Sequence, residues 1–227
     1  MKPLQKGFTL VEIAIVLVII GLLLGGILKG QEMITQAKIK NVVNDFNGIT
    51  AAVNSYQDRY RQLPGDDLNA TTRWGVGVLS GDGNGQFCTG ACPNPLIPAN
   101  MYNVAVTTTA GAGEVNLFWW HLRLAGFVGG TTAPGAGSSA SQPNNAAGGI
   151  TGVQTGGMGF TSNIVCESNL PDKIAIAVDT QMDDGTAATG QMRGSLQASP
   201  NPPTDASAPV SVYAETGTNQ YLLCKNM

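Results

Sequence analysis

The chain has 227 residues with 12 Lys/Arg, 15 Asp/Glu and one histidine, and it carries 30 glycines and 12 prolines. So few ionisable groups and so many turn formers exclude a strongly basic protein and a mostly helical one. Residues 1–61 hold seven Lys/Arg against four Asp/Glu, and residues 62–227 five against eleven; the longer, acidic part repels a phosphate backbone, so no nucleic-acid partner is expected.

Residues 1–7 form a short basic leader with Lys2 and Lys6. Residues 8–28 are 21 almost entirely apolar positions interrupted by one charge, Glu12, long enough to span a bilayer as a helix. No small-residue cleavage pattern follows the run, so it is expected to stay in place. An ionisable group within such a span costs about 2.5–3.5 kcal/mol on insertion scales, so Glu12 requires a counterpart.

The pattern then changes to Ile39, Val42, Phe46, Ile49, Val53, Tyr56 and Tyr60, steps of three and four that continue the helix as an amphipathic one. Leu63-Pro64-Gly65 supplies the stop. Residues 8–62 therefore read as one helix, roughly 80 Å long at 1.5 Å per residue, with 8–28 transmembrane or buried among copies and 29–62 amphipathic. Lys29, Lys38 and Lys40 offset the leader's charges, so charge alone leaves the orientation open.

The segment KGFTLVEIAIVLVIIGLLL resembles the processing site of type IV prepilins and type II secretion pseudopilins, with Gly7, then Phe8, then Glu12 five residues into the mature chain. The resemblance implies cleavage by a prepilin peptidase between Gly7 and Phe8 and methylation of the Phe8 amine. It implies assembly through Glu12 paired with the terminal amine of a neighbouring copy. Other copies or related pilins in a helical filament and an inner-membrane assembly platform are the implied partners. The implied location is the bacterial inner membrane, single-pass, before assembly, and then a periplasmic or extracellular filament. Lys29 stands where many pilins have proline.

Residues 63–227 read as one globular head. The stretch from Pro64 through GDGNGQFCTGACPNP is turn chemistry and is expected to be a surface connection, with Asp66 and Asp67 as solvated caps. Residues 114–124 predict a helix closed by Gly126, with Trp119 and Trp120 in the core and His121 at the surface or in a cap. Residues 129–159, rich in small residues and uncharged, predict a flexible loop. Strands are expected at 160–166, 173–178, 190–196, 210–214 and 221–224, with Asp183-Asp184-Gly185 as a hairpin turn. The expected class is α+β: a long N-terminal helix packed by its C-terminal half against a small antiparallel sheet with long loops.

Four cysteines, Cys88, Cys92, Cys166 and Cys224, contain no CxxC pair and fit disulfides formed after export better than zinc. Of three possible connectivities the preferred one joins Cys88 to Cys92 and Cys166 to Cys224. No nucleotide-binding or nucleophile-elbow motif is present and no enzymatic activity is expected. Asp82 and Asn84 resemble the start of an oxygen-ligand loop that Asp183 and Asp184 could complete. Major pseudopilins of type II secretion hold calcium in a head loop, so calcium is the one cofactor entertained, although Phe87 and Pro93 break the EF-hand pattern. The function implied is a structural subunit of a pilus or pseudopilus, with a minor tip pilin acting as a binding or adhesion module as the alternative.

Overall fold

The computed structural model describes residues 10–88, 101–210 and 212–227. The chain divides into two compact units, Met1–Lys38 and Ile39–Met227. Helix α1 runs Leu10–Tyr60 and contributes to both. The predicted start at Phe8 lies outside the described residues, and the helix ends two residues before the expected stop.

Within the first unit α1 presents its apolar residues outward from Leu10 to Ile34, with Leu10 88% and Leu22 73% exposed. Among the described residues this helix is the one long and apolar enough to cross a membrane. Gly21, Gly25, Gly26 and Gly30 do not interrupt it, so the absence of a proline at Lys29 coincides with an unbroken helix.

The second unit is built on a stripe of α1: Ile39, Val42, Val43, Phe46, Ile49, Ala52, Val53 and Tyr56 are all buried. The spacing read from the sequence identified this face, because only residues three and four apart share one side of a helix. Four antiparallel strands oppose it: β1 Thr151–Gly157, β2 Phe160–Pro171, β3 Met192–Leu196 and β4 Gln220–Asn226. Their order is β1-β2-β4-β3.

One sheet face contributes Val153, Val165, Tyr221 and Leu223 to the α1 core, joined by Phe118, Trp119 and Leu122. The other face packs Ile164, Cys166, Leu222 and Cys224 around Tyr102. Cys166 and Cys224 are in register on β2 and β4 and are joined by a disulfide. Cys88 is disulfide-bonded; Cys92, its expected partner, lies outside the described residues.

Helix α2 spans Ala70–Trp74 and α3 spans Glu114–Leu124. The predicted boundaries of α3 hold, and Gly126 takes a positive φ of 80° after its end.

Several expectations are corrected. Residues 173–178 are not a strand but part of α4, Asp172–Met182. Their alternating Ile174, Ile176 and Val178 suggest a two-residue period, yet burial falls on Ile174, Ala175, Val178 and Asp179, the helical period. Pro171 stands just before the helix and fixes the entering backbone, while Asp172 accepts from the N–H groups of Lys173, Thr216 and Gly217. Asp183-Asp184-Gly185 consequently follows a helix and is not a hairpin turn.

Residues 129–159 are not simply a flexible loop, since they contain β1, buried along its whole length. Small residues occur there because the backbone is crowded: a Cβ on Gly152 would lie 2.2 Å from the carbonyl oxygen of Tyr102. No strand forms among the described residues of 210–214, where Val210 and Val212 are 100% and 78% exposed.

Candidate functional site

Glu12 lies in the first described turn of α1. It sits beside Ile13, Ile15 and Val16 on the exposed apolar surface of the first unit. Gly7 and Phe8 lie outside the described residues. The feature that the sequence singles out is thus an exposed, membrane-length apolar surface carrying one acidic group.

In the second unit the acids gather where α1 ends. Gly65 has φ +89°, and a Cβ there would meet the Glu114 carbonyl oxygen at 2.6 Å, so only glycine permits this approach of backbone to α3. Asp66 follows, and its carboxylate accepts from the N–H groups of Gly83 (2.5 Å), Asn84 (3.1 Å) and Gly85 (2.6 Å). The glycines of GDGNG allow the chain to wrap that carboxylate with N–H groups. Asp67 accepts from the Tyr56 hydroxyl at 2.6 Å and from Asn69 N–H at 2.8 Å, and pairs with Arg73. Burial opposes its ionisation, but these bonds outweigh it and hold the Asp67 carboxyl below the usual range.

Asp66 and Asp67 are therefore buried joints between α1, the 65–88 segment and α3, not solvated caps. Glu114 completes the joint, accepting from Asp82 N–H at 2.9 Å and Cys88 N–H at 2.7 Å. Burial pushes its carboxyl up to about 7 against the pull of those N–H groups, with the Asp82 and Asp66 charges adding to the rise.

His121 is fully buried, contrary to the surface role expected of it. Its Nδ1 accepts from Gly65 N–H at 2.9 Å, so Nε2 carries the proton and donates to the Leu79 carbonyl at 2.8 Å. Burial pushes its pKa down to about 4, keeping the ring neutral. The ring stacks on Tyr56, with centroids 6.5 Å apart. Trp119 and Trp120 are in the core as expected.

The proposed oxygen-ligand set Asp82, Asn84, Asp183 and Asp184 is not brought together. Asp82 groups with Asp66 and Glu114, while Asp183 and Asp184 group with Asp179. In the first group the Asn84 amide and N–H turn back on Asp82, and Asp66 and Glu114 accept from backbone N–H groups. Such donors present positive ends where a cation would need bare oxygens, so this group does not fit calcium as it stands. In the second, Asp179 accepts from Tyr213 and Gly185, Asp183 from Met192 N–H, and Asp184 from Thr186 and Thr189. These acids fasten the turn after α4 to β3.

Sequence reading missed the cradle around Asp66 and the burial of Glu167 on β2. PGDD and GDGNG signalled the cradle only as turn chemistry, and a glutamate amid VCESN gives no local sign that it faces a core.

A long N-terminal helix with an exposed apolar surface, followed by an antiparallel sheet packed on its amphipathic portion, defines a pilin-like α+β protein. Residues 2–28 match the family model of the prokaryotic N-terminal methylation motif. The chain thus carries the signature characteristic of type IV prepilins and pseudopilins, consistent with a membrane-anchored pilin. No curated protein and no solved structure matches the chain.

Proposed function

We propose that the chain is a structural subunit of a type IV pilus or type II secretion pseudopilus and not an enzyme. A prepilin peptidase cuts it between Gly7 and Phe8, the new Phe8 amine is methylated, and an inner-membrane assembly platform moves it into a periplasmic or extracellular filament. The carrying observation is the methylation motif at residues 2–28 overlapping an apolar helix surface that its own unit does not bury. That surface gains nothing in water and is stabilised by lipid before assembly or by other helices after it.

Glu12 in this reading selects the neighbour, since a carboxylate in an apolar helix bundle favours a position beside a terminal amine. The head's polar groups support a structural role: Asp66, Asp67, Glu114 and His121 are all committed to bonds that hold the fold. Mass spectrometry of the mature protein tests the proposal. A chain beginning at N-methylated Phe8 is expected; a native product still beginning at Met1 overturns it.

A further inference from the structure

Glu167 stands on the inner strand β2, in register with Thr151 on β1 and Leu223 on β4. Residues paired directly across strands share a face, and Val165 and Leu223 on that face belong to the core closed by α1. The Glu167 side chain therefore rises from the sheet towards the helix. It is 0% exposed, and neither carboxyl oxygen has a hydrogen-bond partner among the described residues.

No cation comes to it from the elements packed on that face. Within the second unit α1 offers Asp45, a half-buried acid. Lys225 on β4, opposite Val165, shares the face but makes no ion pair among the described residues. On α4, Asp172 is bonded to the 216–217 turn, Asp179 to Tyr213 and Gly185, and Lys173 is exposed. On α3, Glu114, His121 and Arg123 are turned to Asp82, Gly65 and Ser139. Arg193 on β3 pairs with Cys224 and so belongs to the other face, and β1 carries no ionisable residue.

A carboxylate deprived of water, donors and cations is far more costly to bury than the neutral acid. We propose that Glu167 is a proton-operated latch between the sheet and α1: as the neutral acid it lets the helix seat on the sheet, and as the carboxylate it opposes that seating. The other buried acids differ in kind. Asp66, Asp67 and Glu114 each gather N–H or hydroxyl donors that suit an ionised group, whereas a buried polar group left without any is the exception in folded proteins.

Burial foremost, then the Asp45 carboxylate, raises the Glu167 carboxyl well above the ordinary 4.5 of a glutamate, with Asn145 easing it only in part. The unfolded chain gives up this proton near 4.5 while the folded one keeps it, so the contribution to stability is complete below 4.5 and is lost as pH rises towards the folded value. Over that interval the ratio of folded to unfolded chain falls about tenfold per pH unit through this group alone. His121 acts in the opposite sense and Glu114 in the same sense, so the latch is read as a difference between two proteins that keep both. With the head outside the inner membrane, as proposed above, α1 is held more firmly in an acid medium than in an alkaline one. The latch itself belongs to the head and does not depend on the filament reading.

Urea unfolding of the full chain in detergent micelles, wild type beside Glu167→Gln, tests the latch between about pH 5 and about pH 8. The variant keeps the shape of the neutral acid and cannot ionise. It should gain on the wild type by about tenfold in the folded-to-unfolded ratio for each pH unit, up to the pH at which the folded Glu167 carboxyl releases its proton. A role in packing alone gives a difference between the two proteins that does not change with pH, and that result overturns the proposal. If the variant does not fold, the carboxyl carbon resonance of Glu167 in the wild type decides. At about pH 6 it should stand at the position of a neutral acid and move to that of a carboxylate only at higher pH; a carboxylate position at about pH 6 overturns the proposal.

Discussion

Asp66 and His121 do opposite jobs around the same glycine. Asp66 gathers three N–H groups from the 83–85 segment onto one carboxylate, while His121 accepts the single N–H of Gly65. Asp66→Ala leaves those three donors without an acceptor. At about 1–3 kcal/mol for each buried group left unsatisfied, less where water reaches it, a loss of roughly 3 kcal/mol is expected in urea unfolding. His121 gives a pH signature. Its folded pKa of about 4 lies below its ordinary 6.5, so its contribution is complete above pH 6.5 and is lost as pH falls through 4. Relative to His121→Gln, in which Glu114 and Glu167 titrate alike, the wild type should lose up to about 3 kcal/mol between those limits. A pH-independent difference between the two proteins would contradict the neutral tautomer.

At the scale of elements, legibility followed periodicity. The stripe of α1 and the bounds of α3 were readable because one face of each is continuous and apolar. Helix α4 was misread because a short run of five apolar and small residues, Ile174 to Val178, satisfies both periods, and tertiary burial decides between them. Strand β1 was hidden by its glycines, one of which, Gly152, admits the close approach of Tyr102 from about 50 residues away in sequence. The same limit explains Glu167: its neighbours in the chain are ordinary strand residues, and only the strand pairing reveals which face it occupies. The β2–β4 link admits a direct test. Replacing Cys166 and Cys224 together by serine opens a cross-link of sequence separation 58 and should reduce stability by about 4 kcal/mol in the chain-entropy description, read as a lower urea midpoint.

At the scale of the whole molecule, the two units answer to different surroundings. The first exposes its apolar residues and the second encloses most of its own, so substitutions should separate cleanly. Glu12→Ala is expected to leave membrane insertion and the unfolding midpoint of the second unit unchanged while reducing incorporation into sheared filaments. Filaments of normal abundance from that variant would remove Glu12 from assembly. The N-terminal signal was fully legible because it is a local motif in fixed spacing. The acidic groups near Asp82 and Asp183 were not, because a ligand set is a matter of which oxygens remain open after folding.

The placement of β4 between β2 and β3 has a consequence for biogenesis. Until residues 220–226 have emerged, β2 and β3 lack their common neighbour and the sheet cannot close. A nascent polypeptide stopped before Gln220 presents β2 with an unpaired rim, the kind of edge that recruits other chains.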